Sequence, residues 1–206
     1  MARRTKQDAD ATRSRLLDAA ELVFYEKGVS RASLNDIACA AGLTRGAIYW
    51  HFKDKGDLFN AMMDRVTSPL QEASCESSAM GCVSPLQRLR ERVELVQRSI
   101  ATDERMWRVF EIALFRVEYV DEMAVARDRH IEGCTTFQAK LELDLQAAAA
   151  HEGVTLAQGS LAAVIGLRAV FEGLMHSWLL NKDQFDLVAV SRVAVDTYLN
   201  GLGFKL

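Results

Sequence analysis

Between positions 44 and 51 the chain lines up Thr44, Arg45, Gly46, Ala47, Tyr49 and His51. These residue types suit recognition of a polyanion better than catalysis. The planar fork of Arg45 matches the O6 and N7 acceptors of guanine. Thr44, Tyr49 and His51 are short or rigid donors for phosphate oxygens, which position a protein without reading sequence. Gly46 and Ala47 are small and let the backbone come close to a surface. Lys55 follows at the start of the next helix, where its ammonium and the helix N-terminus both favour a phosphate.

The flanking pattern supplies the elements that would hold this set. Residues 33–52, SLNDIACAAGLTRGAIYWHF, read as two short helices joined by a tight turn. Ser33 and Asp36 have the spacing of a capping box for the first helix. Gly42 supplies a residue able to take positive φ. Ile37, Ala38 and Ala41 form the inner face of the first helix, and Leu43 and Ile48 plug the second onto it. Thr44 can cap the second helix. Ile48 and Phe52 read as core, and Trp50 is open between core and surface. The plainer alternative is a buried helical turn with no outside partner.

The whole chain reads as all-α. Leu16, Ala20, Val23 and Phe24 make the apolar face of a first helix ending near Gly28. Asp54 and Asp57 open a fourth helix with Leu58, Met62 and Val66 as its stripe. Residues 73–85 read as a loop or a frayed helix end. Ser84-Pro85 is a helix start. Further helices are predicted over 85–101, 103–119, 122–151, 160–181 and 187–202, with Thr102 and Asp121 as caps. The predicted division is a helix-turn-helix domain at 1–55 and a second helical domain at 56–206.

Half of the 206 residues are hydrophobic, with two prolines and 26% charged residues, so disorder is disfavoured. The net charge of −3 rules out a generally basic nucleic-acid coat, but it is uneven: residues 1–60 carry +2 and the remainder −5. Such asymmetry fits a protein that docks on DNA by one end. The longest apolar stretches read as too short or too interrupted by charge for a membrane span, and the N-terminus has no signal-peptide core. A cytoplasmic protein is expected. Ala2–Lys6 reads equally as a basic arm for the minor groove or as a solvated end.

Cys39, Cys75, Cys82 and Cys134 lack metal-site spacing, and reduced thiols are expected, with a Cys75/Cys82 redox pair as the alternative. The histidines are scattered. No catalytic triad, paired-carboxylate site or phosphate-binding glycine loop is visible. No catalytic residue, metal or cofactor is expected.

These motifs resemble a known family. The opening MARRTK, the stretch TRSRLLDAAELVFYEKGVSRASLNDIACAAGLTRGAIYWHFKDKGDLF, and within it A-G-L-T-R-G-A-I-Y-W-H-F followed by K-x-K-x-x-L-F, resemble the DNA-binding domain of the tetracycline-repressor (TetR) family over roughly the first third of the chain. They look most like its multidrug-efflux repressors of the AcrR and TtgR kind. The resemblance implies that Thr44, Arg45, Gly46, Ala47, Tyr49, His51 and Lys55 face DNA and that Ser33 meets the backbone. It implies a homodimer, formed by the helices at about 122–151 and 160–181, on double-stranded, pseudo-palindromic operator DNA.

The resemblance implies an effector-binding and dimerisation role for residues 56–206, with a lipophilic effector among the helices after residue 60. The candidate walls are Val66, Leu70, Val93, Val96, Phe110, Leu114, Cys134, Phe137, Phe171 and Met175. Core packing is the alternative role for each. Polar groups on the same faces need partners if buried, which singles out Glu111, Glu172 and His176. Glu172 and His176 are spaced to pair with each other. By resemblance, Thr67, Phe110, Leu114, Glu172 and His176 fall at pocket positions. Thr67, Phe110 and Leu114 depart from the acidic, amide or imidazole groups of the efflux repressors, which points to an apolar or neutral ligand. The expected function is an effector-released repressor of a multidrug efflux operon. The alternative is the same mechanism acting on metabolic genes through a fatty-acid or aromatic signal.

Overall fold

A computed structural model of the chain describes residues 6–79 and 83–206, with the backbone alone at 73–79 and Asp121. The regular elements among the described residues are helical: α1 (Lys6–Lys27), α2 (Leu34–Ala40), α3 (Arg45–His51), α4 (Lys55–Ala79), α5 (Pro85–Thr102), α6 (Glu104–Phe115), a 3₁₀ turn (Asp121–Met123), α7 (Ala124–Glu152), α8 (Ser160–Leu180) and α9 (Leu187–Gly201). The expected basic arm, apart from Lys6, and Cys82 lie outside the described residues.

The chain forms two compact units, Met1–Thr67 with Arg108–His130, and Ser68–Trp107 with Ile131–Leu206. In the first unit, Leu16, Ala20 and Phe24 of α1 are buried with Ile37, Ala38, Ile48, Phe52, Leu58 and Met62. The Phe24 and Phe59 rings lie 6.3 Å apart. Glu21 is buried between two guanidiniums, Arg65 at 3.1 Å and Arg108 at 2.7 Å. A lone buried carboxylate would be costly. These two partners offset the cost and fasten α1 to α4 and α6.

In the second unit, Leu89 and Val93 of α5, Leu141 and Leu145 of α7, Val164, Leu167 and Phe171 of α8, and Val195 and Leu199 of α9 share one core. Two Arg–Asp pairs flank it: Arg92 on Asp144 at 2.8 Å, and Arg90 forked onto Asp196 at 2.8 and 2.7 Å. The α8 and α9 helices approach closely at Gly166, where an added Cβ would lie 2.2 Å from the Tyr198 hydroxyl oxygen.

One open helix-level alternative is decided and three expectations are corrected. Of the two readings of 73–85, residues 73–79 take the helix end: they are the last turns of α4. Their Ala, Ser, Cys and Glu residues do not stop a helix, and the first glycine comes only at Gly81. The cap between α5 and α6 is Asp103, not Thr102: its carboxylate accepts from the N–H groups of Arg105 and Met106. Helix α6 ends at Phe115, short of residue 119, because the Arg116 carbonyl accepts from Val29 N–H at 2.8 Å and Tyr119 stacks on His130 with its hydroxyl on the Ala113 carbonyl. Tertiary bonds here override a local helical pattern. Finally, Ser160–Leu180 is long and apolar enough by length and composition to cross a membrane. Its Ala163, Val164, Leu167 and Phe171 are buried in the second unit's core.

Candidate nucleic-acid interface and effector region

The turn between α2 and α3 is built as the sequence requires. Ser33 Oγ accepts from Asp36 N–H at 3.1 Å while the Asp36 carboxylate accepts from Ser33 N–H at 3.0 Å. The Ser33 hydroxyl also donates to the Asp36 carboxylate at 2.7 Å, and this bond first, the Ser33 backbone N–H second and Lys27 at 3.0 Å third lower the Asp36 pKa to about 2. Gly42 has φ +64°, and its N–H and that of Leu43 return to the Cys39 and Ala38 carbonyls. Arg15 of α1 donates to the Ala41 carbonyl at 2.6 Å, fixing the C-terminal end of α2. Thr44 Oγ1 accepts from Ala47 N–H and caps α3.

This frame sorts the side chains of α3. Ile48 and the following Phe52 are buried. Thr44, Arg45, Gly46 and Tyr49 are exposed, and Ala47 and His51 are half-buried. The Arg45 guanidinium lies over the Tyr49 ring at 5.6 Å, a cation–π contact that limits its freedom before any partner arrives. Trp50, left open by the sequence, is 68% exposed, with its ring edge-on to His51 at 4.5 Å. Helical spacing contained that signal: Thr44, Ile48 and Phe52 repeat every four residues, and Trp50 falls opposite them. Lys53 is also exposed and was not singled out from sequence. Ser33 is exposed, but its hydroxyl is engaged with Asp36.

Lys55 corrects an expectation. Its side chain is 7% exposed, and its ammonium donates to the Ser30 and Ala32 carbonyls at 3.3 and 3.2 Å and pairs with Glu122 at 2.6 Å. The charge therefore holds the loop before α2 and the 3₁₀ turn, instead of facing solvent. Sequence spacing could not show this, because the partners are remote in the chain.

The expected effector residues divide between the two units. In the first, Val66 is buried, Phe110 is half-buried and Leu114 is exposed. Thr67 donates its hydroxyl to the Met63 carbonyl one turn back. Glu111 is buried with Arg116 on its carboxylate at 3.0 Å. In the second unit, Val93 and Phe171 belong to the core, with Phe137 edge-on to Phe171 at 6.2 Å. Met175 is buried, Leu70, Val96 and Cys134 are half-buried, and His176 is exposed. Burial raises the Cys134 thiol pKa, which disfavours a reactive thiolate. Glu172 is held by Arg168 at 2.7 Å, and Arg168 also donates to Gln138 Oε1. Arg168, four residues before Glu172 as His176 is four after it, carries no expectation from the sequence pattern.

Comparison with known proteins agrees with this architecture. Residues 16–62 match the family described as bacterial regulatory proteins, tetR family, and residues 84–204 match the C-terminal region of MAATS-type transcriptional repressors. The chain is 39% identical to the HTH-type transcriptional regulator AcrR of Shigella flexneri, over 93% of this chain and 89% of that protein. It is 38% identical to the HTH-type transcriptional repressor BepR of Brucella suis, over 97% and 96%. Among solved structures, NalD, the secondary repressor of the MexAB-OprM multidrug efflux pump in Pseudomonas aeruginosa, superposes with a TM-score of 0.81 at 31% identity, covering 94% of this chain and 97% of that one. A SmeT–triclosan complex superposes at 0.80 with 30% identity, covering 93% and 91%. The capped helix-turn-helix, the all-helical remainder and these full-length similarities together show that the chain belongs to the TetR family of bacterial transcriptional regulators, with a C-terminal region of the MAATS repressor type.

Proposed function

We propose that the chain is a repressor that binds a pseudo-palindromic operator as a homodimer and releases it when a small lipophilic effector binds. Residues 1–55 contact DNA and residues 56–206 take the effector and dimerise. The observation that carries this reading is the exposed row Thr44, Arg45, Gly46 and Tyr49 on a helix whose inner residues Ile48 and Phe52 are fully packed. Arg45 reads a base, Thr44, Tyr49 and His51 meet phosphates, and Gly46 and Ala47 allow close approach. Ser33 meets the DNA backbone. Lys55 orders the interface from within.

The dimer is supported by apolar surface that the second unit leaves uncovered: Leu161, Ile165 and Leu180 on α8, and Leu143 on α7, are each at least half exposed. A second copy would bury it. An efflux-pump operon is the proposed target because NalD, at 31% identity, is the secondary repressor of the MexAB-OprM multidrug efflux pump, and SmeT, at 31% identity, is the repressor of the multidrug efflux pump SmeDEF. A lipophilic effector follows from the apolar candidates Val66, Leu70, Val96, Phe110, Leu114, Phe137 and Met175, with Thr67, Val93, Cys134, Phe171, Glu172 and His176 beside them in the same helices. An effector can release DNA only through different affinity for the DNA-competent and incompetent conformers. A cytoplasmic location follows from the DNA partner.

Fluorescence anisotropy on labelled DNA from upstream of the gene tests the reading. Tight, sequence-dependent binding that a lipophilic compound reverses is expected. Weak binding, uniform across sequences and steeply salt-dependent, would reduce the interaction to phosphate attraction and overturn it.

A further inference from the structure

A small cleft between α5 and α9 has a polar floor that the protein leaves open. Gln97 is fully buried and Ser191 is 3% exposed. Gln97 Oε1 and Ser191 Oγ have no hydrogen-bond partner among the described residues, and both residues line the cleft. The amide orientation is not arbitrary. Gln97 Nε2 donates to the Phe171 carbonyl of α8 at 2.9 Å, so the oxygen is the atom turned away from α8. A buried polar oxygen without a partner costs stability comparable to a lost hydrogen bond, and two on residues that line one small cleft call for a partner within it.

The surroundings define what fits. The cleft's volume is about 20 Å³, on a measure by which one water needs roughly 10–15 Å³. Val93 and Val195 make its sides apolar. The charges at its rim are already matched: Arg90 forks onto Asp196, and Arg192 pairs with Glu94 at 3.0 Å. An ion would find no uncompensated charge, whereas a neutral hydroxyl can donate to Gln97 Oε1 and accept from or donate to Ser191.

We infer that this cleft is a binding site for a single neutral hydroxyl group, that of water or of a small alcohol, which bridges Ser191 of α9 to Gln97 of α5 and through the Gln97 amide to the Phe171 carbonyl of α8. The bound hydroxyl joins three helices of the second unit through one chain of hydrogen bonds.

Crystals of the full chain, grown with and without ethanol, test this. Expected is density within about 3.2 Å of both Gln97 Oε1 and Ser191 Oγ. Density of one atom in both crystals identifies water, and density that extends towards Val93 or Val195 only with ethanol identifies the alcohol. Absence of density with Ser191 Oγ turned onto a backbone carbonyl overturns the inference. Urea unfolding of Ser191→Val, Gln97→Leu and the double variant gives a second reading. The valine fills the cleft and strands Gln97 Oε1, so the folding equilibrium constant should fall about tenfold. The double variant should be no worse than the weaker single. Strict additivity of the two losses would count against a shared occupant.

Discussion

The Lys55 ammonium lies 2.6 Å from the Glu122 carboxylate while it also donates to the Ser30 and Ala32 carbonyls. One cation thus joins the start of α4, the loop that leads into α2, and the turn before α7. Replacement by methionine keeps the stem and removes three partners. Urea unfolding should show a loss of about 1–3 kcal/mol. The slope of log affinity for DNA against log salt should stay unchanged. A slope reduced by about 0.9 would make Lys55 a phosphate contact after all.

Arg45 has a different place. It is exposed, and its guanidinium rests on Tyr49. Arg45→Ala should leave the melting temperature nearly as it was, cost about 1–3 kcal/mol in operator binding and relax preference at one base pair. Operator titrations with single-base variants check this; unchanged affinity would remove Arg45 from the contact surface.

Gly46 separates folding from recognition. An added Cβ meets only Thr44 Oγ1, at 4.0 Å, so the fold has room for alanine. Gly46→Ala should raise helix stability by about 0.5–1 kcal/mol. Operator affinity should nevertheless fall, because the methyl would stand where the α3 backbone approaches DNA. Equal or better operator binding would show that no close approach occurs there.

Acid should act on the cap of α2. The Asp36 pKa is lowered from 3.8 to about 2, chiefly by the Ser33 hydroxyl and backbone N–H. A folded-state pKa below the unfolded value means stability that is present above the unfolded value and lost as pH falls towards 2. The wild-type protein should therefore lose stability between about pH 4 and pH 2, and Asp36→Asn should remove this part of the dependence. An NMR titration that places the Asp36 carboxyl at its ordinary value would contradict the cap geometry.

Gly166 tests the α8–α9 contact. An alanine Cβ there would sit 2.2 Å from the Tyr198 hydroxyl oxygen and 2.9 Å from its ring carbon. The ring is held because the hydroxyl donates to the Ala163 carbonyl at 2.9 Å. Gly166→Ala should cost about 1–3 kcal/mol, measured by thermal unfolding, and Tyr198→Leu in the same chain should recover part of it. An undiminished melting temperature in Gly166→Ala would mean that the two helices can separate freely.

The local elements were legible in the sequence because their causes are local. Ser33 and Asp36 are three residues apart, Gly42 alone supplies the positive φ of the turn, and Ile48 and Phe52 repeat at helical spacing, so the helix-turn-helix and its exposed row follow from neighbours in the chain. Tertiary structure decided what depends on remote partners. Lys55 looked like a phosphate ligand until Ser30, Ala32 and Glu122 converged on it. The pattern beyond Phe115 looked helical until Val29 claimed the Arg116 carbonyl. The stranded oxygens of Gln97 and Ser191 have the same origin. A one-dimensional pattern shows which face of a helix is apolar. Which polar groups meet across faces is set by packing between elements far apart in the chain, where burial makes each unmatched donor or acceptor costly.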